Sequence, residues 1–115
     1  KADEMEIEVG EYIRTKTGDI TKIKKYYQEP NLYECENGMI IDTENNIGLH
    51  ISDITKHSKN IIDLIEVGDY VNGGKITKKV DNILYINNIE LKILYEIKTI
   101  VTKEQFEQNV YRLEE

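Results

Sequence analysis

Cysteine, proline and alanine each occur once in this 115-residue chain, and tryptophan is absent. A lone Cys35 excludes an internal disulfide and fits a reducing compartment. The only histidines, His50 and His57, stand in no local signature that a thiol nucleophile uses, so Cys35 reads as a small strand hydrophobe. No apolar run approaches the roughly 18–20 residues needed to span a bilayer. The opening KADEMEIEVG lacks the basic and apolar regions of a secretory signal, which leads to the expectation of a cytoplasmic protein that meets no membrane. Lys1–Glu4 precede a methionine and are set aside from fold reasoning, with residues 1–8 expected to be a flexible N-terminus.

Positive charge is also scarce. Fifteen basic side chains face 22 acidic ones, for a formal charge of −7 and a pI near 4.9. Attraction to phosphate backbones or anionic membranes therefore works against the chain, and nucleic acid is not expected as a direct partner. An acidic surface serves either solubility or docking on a basic protein groove. The length points to one compact domain, and the 39% hydrophobic content suffices for a core of modest stability that oligomerisation would reinforce.

Motifs that carry chemistry are missing too. His50, His57, Cys35 and the carboxylates show none of the short spacings of zinc or calcium sites, and no metal or cofactor is expected. A phosphate-cradling glycine loop lies between a strand and a helix, whereas Gly73-Gly74 lies between two strand-like segments and reads as a hairpin tip. His57 reads as an exposed loop residue, and no enzymatic activity is expected.

What is present is a repeat. Val9-Gly10-Glu11-Tyr12-Ile13 matches Val67-Gly68-Asp69-Tyr70-Val71, and Gly18-Asp19-Ile20-Thr21-Lys22 matches Gly74-Lys75-Ile76-Thr77-Lys78. Thr55-Lys56 followed by Asn60–Leu64 resembles Thr102-Lys103 followed by Asn109–Leu113. The expected organisation is a first β unit over 9–66 and a second over 67–115. The β-formers Glu11–Thr15, Asp19–Tyr27, Leu32–Glu36, Met39–Thr43 and Leu49–Ile51 read as strands in the first. Asp69–Asn72, Lys75–Val80, Ile83–Ile86 and Ile89–Tyr95 read as strands in the second.

Turn chemistry separates them. Gln28–Asn31 turns around Pro30, and Asn37-Gly38 reads as a two-residue type I′ turn with Asn87-Asn88 as a further tip. Thr102 and Gln105 form a capping box for a short helix over Lys103–Gln108, with a shorter helical turn expected within Ser52–Lys59 and a closing strand after each. The fold class is thus mostly β. This element order resembles tandem SH3-like strand-turn-strand units, forming small barrels or one shared core, with a short C-terminal helix.

The candidate contact residues are Lys22, Lys24, Lys25, Tyr26, Tyr27 and Tyr33, with Lys78 and Lys79 expected in the equivalent strand of the second copy. Tyrosine beside lysine offers rigid contact area and a place for a few phosphates, although tyrosines also line half-buried sheet faces and lysines guard strand edges.

The stretch Lys56–Gly73, KHSKNIIDLIEVGDYVNG, and the tail Ile97–Phe106, IKTIVTKEQF, resemble a loosely defined group of small, uncharacterised proteins encoded by phages and prophages of Gram-positive bacteria. The group carries no catalytic residues to transfer. The resemblance implies a non-enzymatic phage accessory protein in the host cytoplasm that engages a host protein with a basic surface, an anti-defence or anti-CRISPR inhibitor being one candidate, through an acidic β-surface. Two other readings stay open: a small-molecule binder that sequesters a nucleotide-like signal, and a structural virion or assembly protein. A homo-oligomer is compatible with each.

Overall fold

The computed structural model describes residues 6–43, 48–91 and 97–110. Among the described residues the chain is mostly β, with one short C-terminal α-helix, and it divides into two compact units, Lys1–Leu64 and Ile65–Glu115.

In the first unit, strands β1 (Tyr12–Thr15), β2 (Ile20–Tyr27), β3 (Leu32–Cys35) and β4 (Ile40–Asp42) form an antiparallel meander. A short β5 (Leu49–His50) pairs parallel to β4, a 3₁₀ turn follows at Ile51–Asp53, and β6 (Ile54–Ser58) returns to pair with β1. The order across the sheet is β5-β4-β3-β2-β1-β6, so β5 and β6 stand at opposite edges and, among the described residues, hydrogen bonding does not close a barrel. Alternation places Ile13, Ile23, Cys35, Ile41 and Ile54 on one buried face, joined by Ile7. On the opposite face Arg14, 1% exposed, donates from Nη1 to the carbonyl of Leu64 at 2.8 Å, tying the 3₁₀ turn Ile61–Leu64 to the sheet.

The second unit repeats this order in pieces. Strand β7 (Tyr70–Val71) pairs with β8 (Gly74–Lys75) and with β12 (Ile100–Val101), while β9 (Lys78–Val80), β10 (Ile83–Ile86) and β11 (Ile89–Glu90) form a separate meander. The break at Ile76-Thr77 divides the expected strand Lys75–Val80 in two. Read across that break, the order β11-β10-β9/β8-β7-β12 repeats β4-β3-β2-β1-β6. Ile65, Val71, Ile76 and Leu84 form this unit's core, and α1 (Lys103–Asn109) follows β12 behind the expected Thr102/Gln105 capping box.

Backbone hydrogen bonds define the equivalence of the two units. The amide of Gly10 donates to Ile23 and that of Gly68 to Ile76, both at 2.9 Å. Ile23 and Ile76 in turn donate to Glu11 and Asp69, both at 2.8 Å. Glu11 and Asp69 close the preceding turns on the carbonyls of Glu8 and Glu66. Gly10 at φ 97° and Gly68 at φ 102° hold a conformation that a side chain strains, which is why glycine opens both strands. Counting back from these bonds extends the repeat to Ile7-Glu8 and Ile65-Glu66, and both isoleucines are buried.

The same bonds correct the second half of the sequence match. Ile76 corresponds to Ile23, not Ile20, and Tyr12↔Lys22 corresponds to Tyr70↔Lys75, so pairing Gly18 with Gly74 is out of register by three residues. The recurring Ile-Thr-Lys of both segments concealed the slip. The first hairpin is longer in both strands, and its loop has three residues to the second's two: Gly18 donates to Thr15 and Thr15 to Asp19, a type I turn with a glycine bulge. The second turns on Asn72-Gly73, with φ 51° and 88°, not on Gly73-Gly74. That makes Asn72-Gly73 a type I′ turn, whereas Asn37-Gly38 belongs to a three-residue loop in which only Gly38 has positive φ. Asn87-Asn88 turns as expected, at φ 52° and 67°.

The closing segments also differ from expectation. Ser52–Lys59 is mainly strand β6, and Asn60–Leu64 contains a 3₁₀ turn where a closing strand was expected. The pairings Tyr12↔Ser58 and Tyr70↔Val101 make Lys59, not Thr55, the counterpart of Thr102. In both units the closing strand therefore precedes its helical turn. The expected final strand at 109–113 and the expected strand 89–95 fall partly outside the described residues, as does the segment between the expected strands Met39–Thr43 and Leu49–Ile51.

Candidate binding surface

The β2–β3 hairpin carries six of the sequence-derived candidates: Lys22, Lys24, Lys25, Tyr26, Tyr27 and Tyr33. Its register runs Ile23↔Cys35, Lys25↔Glu34, Tyr26↔Tyr33 and Tyr27↔Leu32, leaving Lys24 as an extra residue in a bulge. Lys24, Lys25, Tyr27 and Glu34 gather on the face away from the core. There Lys24 Nζ lies 3.5 Å from Glu34 Oε2, Tyr27 donates its hydroxyl to Glu34 Oε1 at 2.9 Å, and Lys25 Nζ stands 4.9 Å from the Tyr27 ring centroid. The Tyr27 hydroxyl, and then Lys24, hold the Glu34 carboxyl below its ordinary range.

Tyr26 and Tyr33 extend the core face beyond the core. Their ring centroids are 4.9 Å apart with planes tilted by 42°, and the Tyr26 hydroxyl donates to Asn31 Oδ1 at 2.6 Å. Tyr33 packs on the core cluster, and burial raises its phenol above the ordinary value. Tyr26 remains 42% exposed and Tyr27 36%, so the hairpin tip presents an aromatic side chain on each face beside the exposed turn Gln28-Glu29-Pro30.

Each candidate lysine has its own neighbour. Lys24 is matched by Glu34, Lys22 Nζ lies 5.4 Å from the Tyr12 ring centroid, and Lys78 and Lys79 belong to the second unit. Lys78 Nζ lies 4.9 Å from the Tyr85 ring, and Lys79 Nζ donates to the Ile65 carbonyl at 2.8 Å. By register Lys78 is the counterpart of Lys25, two residues past Ile76 as Lys25 is two past Ile23.

The groups weighed for catalysis have structural partners. Cys35 is fully buried in the core, and burial, reinforced by Glu34, pushes its thiol up to about 11. His57 lies on β6 rather than in a loop, and its Nδ1 bonds Glu11 Oε1. His50 caps the 3₁₀ turn that follows it, its Nδ1 accepting the Ser52 amide at 3.0 Å. Among the described residues no three His, Cys, Asp or Glu side chains group as a metal site, and no helix is long and apolar enough to cross a membrane.

Sequence reasoning missed a second feature of the first unit. Tyr12, Ile20 and Ile61 line an open groove of about 340 Å³, rimmed by Thr21, Lys22, Glu36 and Asn37. Tyr12 was visible in the repeat, but Ile61 reaches it only because the chain turns back after β6, where a closing strand was expected. No protein-family model matches the chain, and comparisons with curated proteins and with solved structures find no match.

Proposed function

We propose that this chain is a non-enzymatic binding protein built from two tandem SH3-like units, a phage accessory protein that engages a host protein with a basic surface in the host cytoplasm. The observation that carries the reading is the β2–β3 tip, where Tyr26 and Tyr27 stand exposed on opposite faces of the hairpin. Exposed tyrosines held by neighbours contribute contact area at low entropic cost and are enriched among the anchors of protein interfaces. The net charge of −7 supports a basic partner, since complementary potentials speed encounter and exclude wrong partners. The shared strand order and the paired Gly10 and Gly68 bonds support the tandem units. An anti-defence role is the most specific form of this proposal.

The nucleotide-sequestering alternative is less well supported, because the lysines it would recruit are matched by Glu34, drawn over tyrosine rings or bound to the Ile65 carbonyl. Capture from a lysate of a Gram-positive host, run in parallel with a Tyr26→Ser/Tyr27→Ser double variant, tests the proposal. The expected result is a protein retained by the wild type, lost from the variant and released by about 0.5 M salt, where screening is nearly complete within a few ångströms. Equal retention by both chains at both salt levels would contradict it.

A further inference from the structure

We propose that the groove over Tyr12 is a docking site for an aromatic side chain presented by a partner protein, the group that Phe106 supplies internally at the equivalent place in the second unit. Tyr70 stands between Lys75 and Val101 in the strand register, and α1 lays Phe106 on its ring with centroids 4.9 Å apart and planes 24° from parallel. Tyr12 occupies the same place between Lys22 and Ser58. There the chain after β6 makes only the 3₁₀ turn Ile61–Leu64, in place of the seven-residue helix.

That turn is fixed at both ends. Ser58 Oγ accepts the Asn60 amide at 3.0 Å and Asn60 Oδ1 the Ile62 amide at 3.1 Å, while Arg14 binds the Leu64 carbonyl. Ile61 is the side chain it contributes to the groove, and the 340 Å³ beside Tyr12 remains open. That volume lies at the lower end of the range for ligand sites, about 300–1,000 Å³, and suits one ring with its flanking backbone. Tyr12, Ile20 and Ile61 give apolar walls, while Lys22, whose Nζ lies 5.4 Å from the Tyr12 ring centroid and gives way to the incoming ring, supplies donors and Glu36 an acceptor at the rim for the carbonyls and amides of the incoming segment. The second unit thus identifies the occupant: a phenylalanine or tyrosine stacked on the groove tyrosine.

The test uses the isotope-labelled full chain titrated with a synthetic peptide of the sequence of residues 100–110, and with the same peptide carrying alanine in place of its phenylalanine. Shifts centred on Tyr12, Ile20 and Ile61, at least tenfold weaker with the alanine peptide, are expected. An Ile61→Phe variant, filling the groove from within, should lose that response and keep or raise its melting temperature. A Tyr26→Ser variant should respond as the wild type does, which separates this site from the hairpin tip. Absence of shifts at Tyr12 at millimolar peptide, or equal responses to the two peptides, would overturn the proposal. Tyr12 shifts that grow with protein concentration alone would overturn it in favour of a second copy as occupant.

Discussion

In the second unit the fully buried Asp69 accepts the amide of Glu66 at 2.7 Å with one carboxylate oxygen and that of Lys103, the first residue of α1, at 2.8 Å with the other. In the first unit Glu11 accepts the amide of Glu8 at 3.1 Å and reaches with its second oxygen to His57 on β6. Each carboxylate staples the turn before its strand to whatever closes the unit, a helix start in one and a strand imidazole in the other. The acidic residue after the shared glycine is therefore architectural. What varies is the device that follows the closing strand, and the same variation leaves Tyr12 beside an open groove where Phe106 stacks on Tyr70.

The strongest test of the equivalence truncates its core pair. Ile23→Ala and Ile76→Ala each remove a buried side chain from corresponding sites and should each cost about 3 kcal/mol. Hydrogen exchange of the amides around each site would check this, and a near-neutral effect at one position would break the comparison. Asp69→Ala should cost about 3 kcal/mol in denaturant unfolding, since it strips two amides of a charged acceptor, and should fray the start of α1. Glu11→Ala should cost less, about 1–2 kcal/mol, because its amide bond is longer. A reversed ranking would show that Asp69 is not the tighter staple.

Gly10→Ala and Gly68→Ala should each lose about 1 kcal/mol by thermal melting, from backbone strain at positive φ. An unequal pair would mark one of the two turns as different from its counterpart. Tyr27→Phe removes one exposed hydroxyl bond and should leave the unfolding midpoint nearly unchanged. The same change should return the Glu34 carboxyl toward its ordinary value, observable by NMR titration, because that hydroxyl is the main cause of its lowering. Cys35 is read from the pH dependence of its effect rather than from the effect's size. Its thiol is raised from 9.0 to about 11 in the folded chain, so its contribution is complete below pH 9 and declines as pH rises toward 11. The stability difference between wild type and Cys35→Ala, followed by chemical unfolding across that window, should be flat below pH 9 and shrink above it.

Much of this architecture was legible in the residues. Glycine before an acidic residue and tyrosine marked both strand openings, Thr102 with Gln105 marked α1, and Asn87-Asn88 marked a hairpin, because each depends on local backbone chemistry. Register was not legible. Ile20-Thr21-Lys22 and Ile76-Thr77-Lys78 look alike in sequence, yet only the amide of Gly68 on Ile76, matching that of Gly10 on Ile23, shows which isoleucines correspond. The tyrosine tip could be read as a cluster because its residues lie close along one hairpin. The partition of its lysines could not, since the bulge at Lys24 decides which face each side chain takes. His57 found Glu11 across 46 positions of sequence, a separation that leaves no local pattern.

The equivalence of the two openings is tested most directly by through-hydrogen-bond NMR couplings in the labelled chain. The Gly10 amide should couple to the carbonyl of Ile23 and the Gly68 amide to that of Ile76, giving two matching correlations. A Gly68 correlation to any other carbonyl, or a Gly10 correlation without its counterpart, would show that the two strand openings are not copies of one unit.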